Sequence, residues 1–206
     1  TEEVRDVIAR TRSLALDPRD LRRIGADTGD RPTWSALAAF LDEYLDTLDS
    51  QGAIDYAELV HRAVLLAGQP RVRAELRTRF AAVFVDEYQD TDPAQVRLLA
   101  ALAGDGRELV VVGDPDQSIY AFRGADRSGL LDFPTQFRRL DGAPAQVLAL
   151  RMSRRAGPVL LAASRRVAER MRLNRLHVQL QAHRELSTAD GLPPGRVVVR
   201  SYPSLG

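Results

Sequence analysis

The strings VFVDEYQDTDPAQ (83–95) and ELVVVGDPDQSIYAFRGAD (108–126) decide how this chain is read. AVFVD (82–86) and ELVVVGD (108–114) are short apolar runs without alternation, the pattern of strands buried on both faces of a sheet. Between them, Asp92 and Pro93 form an N-cap and first-turn pair. That pair opens a helix through Val96, Leu98, Leu99 and Leu102, which Gly104 closes. Two such strands joined by a helix predict a parallel sheet in an α/β fold, and AQVLAL (145–150) predicts a third strand.

Both strands end in acids. The first delivers Asp86 and Glu87; the second delivers Gly113 and Asp114, then Asp116 and Gln117. Ligands of open α/β sheets bind beyond the carboxyl ends of the strands. An Asp-Glu pair there suits Mg-nucleotide hydrolysis, with one hard oxygen ligand for a hydrated magnesium and a second carboxylate to orient or deprotonate water. Taken alone, such a pair also fits simple capping of the next helix. Asp90, Asp114 and Asp116 read as turn and loop caps. Tyr120, Phe122 and Arg123 then place two aromatic rings and a cation within four residues, an arrangement that suits stacking and phosphate contact on single-stranded DNA and equally a pair of core aromatics.

Upstream the period changes. Trp34, Leu37, Ala38, Leu41, Tyr44, Leu45 and Leu48 share one helical face over 33–49, with Thr33 available as N-cap. Asp55 opens a second helix that stops at Gly68, with Glu58 reaching back in a capping box, and 71–79 predicts a third. Asp17 to Pro32, polar with two glycines and two prolines, reads as a loop. Downstream, an Arg-rich helix is predicted from Ala156 to about 172, and VVVRSY (197–202) reads as a further strand.

Composition sets outer limits. The 206 residues are 45% hydrophobic, enough for a core and one or two domains. There is no cysteine, and His61, His177 and His183 show no metal-ligand spacing, so a metal must sit on carboxylates. No apolar run reaches spanning length and no signal peptide is evident, which makes a cytoplasmic protein without membrane contact the expectation. All 29 basic residues are arginine. Codon bias in a GC-rich genome is the expected cause of that usage; whatever the cause, no phosphate-loop lysine can come from these residues. The net charge of +1 conceals an asymmetry: from residue 147 onward 11 arginines face three acids, whereas the first 146 residues hold 18 arginines and 25 acids. The basic part fits a polyanion, an acidic neighbouring domain or a solvated helix face.

The two strings, in this order and with this intervening helix, closely resemble the second and third motifs of the UvrD/Rep-type superfamily 1 DNA helicases. IDYAELV (54–60) upstream and ALRMSRRAGPVLL (149–161) downstream extend the resemblance over more than half of the chain. It implies a partial RecA-like, P-loop NTPase sheet with flanking helices and a helical subdomain at the N-terminus. Residues 1–52 would be that inserted subdomain, 53–145 the part of the first RecA-like domain with both motifs, and 146–206 the start of the second. It implies magnesium on Asp86, Glu87 as general base, Gln117 as sensor of the γ-phosphate of ATP, and Tyr120, Phe122 and Arg123 on DNA. Relatives often carry tryptophan where Phe122 stands.

The family's Asn-Tyr-Arg-Ser string is replaced here by Ser153-Arg154-Arg155-Ala156. Counting from Leu150 and Leu160 puts Arg155 on the arginine-finger position, with Arg154 as its rival. That variant, with DTDPAQVRLL, is similar to the AdnA-type subunits of AdnAB helicase-nucleases. The expectation is an internal fragment of an ATP-dependent 3′-to-5′ DNA helicase of repair or recombination. Its partners would be single- or double-stranded DNA, the remaining helicase domains and a second helicase-nuclease subunit. The alternative is a non-catalytic DNA-binding or scaffold module derived from a helicase. Lacking the lysine loop, the chain alone is expected to bind ATP very weakly and to expose apolar surface that absent elements would cover.

Overall fold

A computed structural model describes residues 2–14, 16–119, 129–171 and 184–200. The chain divides into two compact units, Thr1–Ala145 and Gln146–Gly206.

The first unit begins with five helices: α1 (Glu2–Ser13), α2 (Pro18–Thr28), α3 (Arg31–Ser50), α4 (Tyr56–Gly68) and α5 (Pro70–Arg79). The stretch read as a loop at 17–32 is therefore mostly helix. Its prolines and glycines act as start, packing and stop signals. Asp17 accepts from the amides of Arg19 and Asp20, Asp20 reaches back to close a capping box, and Pro18 occupies the first turn. Gly25 is buried where a Cβ would lie 2.6 Å from the Trp34 Cβ, so the missing side chain lets α2 and α3 approach. Gly29, at φ 77°, ends the helix in the left-handed region. The core of this part is Leu21, Ala38 and Leu41, with Ile8, Leu16, Trp34, Leu37, Tyr44 and Leu45 packed around them. The N-cap of α3 is Asp30, not Thr33, whose amide instead donates to the Asp30 carboxylate.

Asp55 caps α4 by accepting from the Glu58 amide at 2.6 Å, as the sequence predicts. The expected return contact from Glu58 is absent, because its carboxylate is engaged in a buried ion pair with Arg12 of α1 and a second pair with Arg62. Asp55 also accepts from the Tyr44 hydroxyl at 2.6 Å. This hydrogen bond, more than burial, pushes the phenol up to about 12.

The sheet part consists of β1 (Ala82–Val85), a 3-10 turn at Tyr88–Asp90, α6 (Pro93–Ala103), β2 (Glu108–Val111), a 3-10 turn at Pro115–Gln117 and α7 (Gly129–Gln136). The strands pair in parallel, from Ala82 beside Glu108 to Val85 beside Val111. Asp92 and Gln95 form the capping box of α6 around Pro93, and Gly104 ends the helix. One face of the strand pair packs Val85, Leu109 and Val111 against a cluster of Tyr88, Phe133 and Phe137. Tyr88 meets Phe133 edge-on at 5.2 Å, and Phe133 stacks on Phe137 at 5.0 Å. The opposite face is open, with Phe84 76% and Val112 52% exposed. The apolar runs thus predict burial on both faces, whereas among the described residues only one face is covered.

In the second unit, β3 (Met152–Ser153) pairs in parallel with β4 (Ser187–Thr188), and α8 (Pro158–Ala168) is shorter than predicted. Residues 145–150 form no strand. A strand exists only through its partners, none of the described residues pairs with this run, and Leu148 and Leu150 are exposed. Residues 197–200 are likewise exposed and unpaired as strand, and 201–206 lie outside the described residues. No helix among the described residues is long and apolar enough to cross a membrane.

Candidate nucleotide site at the strand tips

Parallel pairing brings the carboxyl ends of β1 and β2 side by side. The ladder continues one step past both strands, through the Val112 amide to the Val85 carbonyl at 2.8 Å and the Tyr88 amide to the Val112 carbonyl at 2.9 Å. Glu87, between these steps, lies at φ 52° and ψ 42°. A non-glycine residue rarely adopts this left-handed conformation. Here the turn lets Tyr88 drop into the aromatic core while Asp86 and Glu87 stay exposed.

Asp86 uses one carboxylate oxygen to accept from the Glu87 amide at 2.9 Å. Its other oxygen makes no hydrogen bond among the described residues. A single exposed carboxylate fits a magnesium that keeps most of its water, and no group of three or more acids or histidines among the described residues offers a cage for a fully protein-bound ion.

On the second tip, Asp114 caps its own turn, accepting from the Asp116 amide at 2.9 Å and from the Gln117 side-chain amide at 2.7 Å. Gln117 is exposed and close behind β2, with its donor held by Asp114.

Gln89, which the sequence reading did not single out, connects the tips. It is 1% exposed. Its side-chain nitrogen donates to the Glu87 carboxylate at 2.6 Å, and its oxygen accepts from the Asp114 amide at 3.0 Å. Its backbone carbonyl accepts from the Ser118 hydroxyl at 3.3 Å. Next to it, burial and then the Glu87 charge raise the Asp90 carboxyl above its ordinary range, and an N–H of Ile119 partly offsets them. No hydrophobic period marks Gln89. Its one sequence signal is an amide two residues past the acid pair, within reach of a second strand tip.

A shallow cavity of about 360 Å³ lies elsewhere, lined by Gly106 and Glu108 at the amino end of β2 and by Phe137 to Asp141. In the second unit, Arg154 and Arg155 are both exposed in the turn between β3 and α8, where Ser153 accepts from the Ala156 amide at 3.0 Å. Tyr120, Phe122 and Arg123 lie outside the described residues.

Residues 1–138 match the UvrD/REP helicase N-terminal domain. The chain belongs to this family. It is 33% identical over 197 residues to the ATP-dependent DNA helicase UvrD2 of Mycobacterium tuberculosis, a match that takes in 90% of this chain and 27% of that protein. It is 38% identical over 141 residues to the ATP-dependent DNA helicase UvrD1 of the same species, covering 64% of this chain and 18% of that one. With DNA helicase II of Salmonella typhimurium it shares 35% over 138 residues, 66% of this chain and 18% of the relative. The chain thus spans about a quarter or less of the length of these relatives. Both strand tips fall inside the UvrD/REP match, and Arg155 lies beyond it.

Proposed function

We propose that this chain is the internal part of an ATP-dependent DNA helicase, whose first RecA-like domain holds Mg-ATP at the tips of β1 and β2. The observation that carries this reading is the convergence of Asp86, Glu87 and Gln117 on adjacent ends of one parallel strand pair.

Glu87, exposed and aimed by its left-handed backbone, orients water against the γ-phosphate and takes its proton. Gln117 exchanges its bond to Asp114 for a γ-phosphate oxygen, so that the second turn reports whether the phosphate is present. Asp86 holds magnesium, which when bound neutralises charge developing on the triphosphate oxygens. Arg155 supplies the arginine finger, with Arg154 as the rival if the register slips by one. The phosphate-loop lysine comes from outside these residues.

The turn that carries Gln117 runs through Ser118 and Ile119 directly into Tyr120, Phe122 and Arg123. In this reading those side chains stack on and neutralise single-stranded DNA, so a shift of Gln117 on hydrolysis moves the protein along the strand in the 3′-to-5′ direction. Residues 1–52 form the inserted helical subdomain, 53–145 the sheet portion and 146–206 the beginning of the second RecA-like domain. DNA repair or recombination is the setting. The finer kinship with AdnA-type helicase-nuclease subunits rests on the Ser153-Arg154-Arg155 string together with DTDPAQVRLL (90–99) and implies a second subunit.

The test is strand separation per ATP consumed by the complete protein. Phe122→Ala should retain ATP hydrolysis and lose unwinding; unchanged unwinding per ATP removes these residues from the DNA contact.

A further inference from the structure

Glu87 is an exposed glutamate, a side chain with several accessible rotamers, yet a general base works only when its oxygen stays within hydrogen-bond reach of the water it activates. Two features restrict it. The first is its left-handed backbone. The second is the 2.6 Å hydrogen bond from Gln89, a side chain buried to 1% exposure and pinned at its other end by the Asp114 amide.

The orientation of the Gln89 carboxamide follows from its neighbours. The Asp114 N–H can only donate, so it must meet the amide oxygen, which leaves the NH2 group to face the carboxylate. Gly113 makes room for this arrangement, because a Cβ there would stand 2.7 Å from the Gln89 oxygen. Asp114 in turn holds Gln117. A continuous chain of contacts therefore runs from Glu87 through Gln89 and Asp114 to Gln117, linking the two strand tips through one buried amide.

From this we infer that Gln89 is a positioning residue for ATP hydrolysis, holding Glu87 in its working rotamer and tying it to the turn that carries Gln117. The inference rests on the reading of Glu87 as general base. Leucine at this position would leave both the Asp114 N–H and the carboxylate without their partner. Glutamate would keep the size and the acceptor but set a second carboxylate against Glu87.

The experiment compares DNA-stimulated ATP hydrolysis by the complete protein carrying Gln89→Leu, Gln89→Glu or Glu87→Gln, with melting temperature and single-stranded DNA affinity measured alongside. Both Gln89 variants should lose kcat on the order of 10²-fold, since misplacing a reacting group by about 1 Å costs that much. KM for ATP and the Kd for DNA should stay within roughly threefold, as befits a contact that matters only in the transition state. Should Gln89→Leu fail to fold, Gln89→Glu, which preserves volume and the bond to Asp114, carries the comparison. Wild-type kcat in a folded Gln89 variant while Glu87→Gln is inactive overturns the positioning role alone, and so does a loss confined to KM. Wild-type kcat in Glu87→Gln overturns the assignment of the base and this inference with it.

Discussion

At the scale of single residues, the tips of β1 and β2 work by exclusion as much as by contact. Gly113 matters for the space it leaves: alanine there would press on the buried Gln89 oxygen, so Gly113→Ala is expected to lower ATP turnover in the complete protein without changing its fold. Circular dichroism and kcat measured on one preparation check this. A different logic governs the Arg12–Glu58 pair, buried to 1% and 8% side-chain exposure. Burial lowers the Arg12 pKa, partly offset by Asp55 and Asp17. Removing Glu58 strands the buried Arg12 charge, whereas Glu58 still has Arg62 when Arg12 is removed, so Glu58→Met should cost on the order of 3 kcal/mol, and adding Arg12→Met should recover much of it. Urea unfolding of both variants checks the sign: a double variant as unstable as the single would contradict this account.

At the scale of elements, α6 depends on its capping box, in which Asp92 accepts from the Gln95 amide at 2.8 Å and Gln95 returns the bond at 2.9 Å. Asp92→Ala should destabilise the chain by about 1 kcal/mol in urea unfolding. His61 on α4 links its helix to pH. Burial, followed by the Arg12 charge, holds its pKa below the ordinary 6.5, with Asp17 partly opposing. The unfolded chain therefore takes up a proton below about pH 6.5 where the folded chain does not, so stability present above that pH is lost as pH falls through the window down to the lower folded value. His61→Gln should flatten this limb, which urea midpoints at about pH 7.5 and 5.5 would reveal. Elements with strong local signals were legible in the sequence: β1, α6 with Asp92 and Gly104, β2, and the Asp55 start of α4. The apolar run at 145–150 predicts a strand that the fold does not form, because pairing is a property of neighbours, which such a run does not specify. Helix α2 is hidden in the sequence because Pro18, Gly25 and Gly29 look like loop punctuation, and their roles as start, packing and stop signals follow only from the packing of Leu21 and Trp34. The acid pair and Gln117 were visible as chemistry, whereas Gln89 acquires meaning only when the two strand tips become neighbours.

At the scale of the whole molecule, apolar surface and missing chemistry point the same way. Among the described residues Phe84, Val110 and Val112 leave one face of the strand pair exposed, the chain spans about a quarter or less of its relatives, and it has no lysine for triphosphate binding. The isolated 206-residue chain is accordingly expected to show no ATP turnover above a Glu87→Ala control, which a phosphate-release assay with and without single-stranded DNA checks. The central claim, that the β1 tip supplies the base for ATP hydrolysis, is tested most directly by steady-state kcat of the complete protein with Glu87→Gln. A fall of about 10²-fold or more with ATP still bound is the result this account predicts, and a kcat within about twofold of the unmodified protein would contradict it.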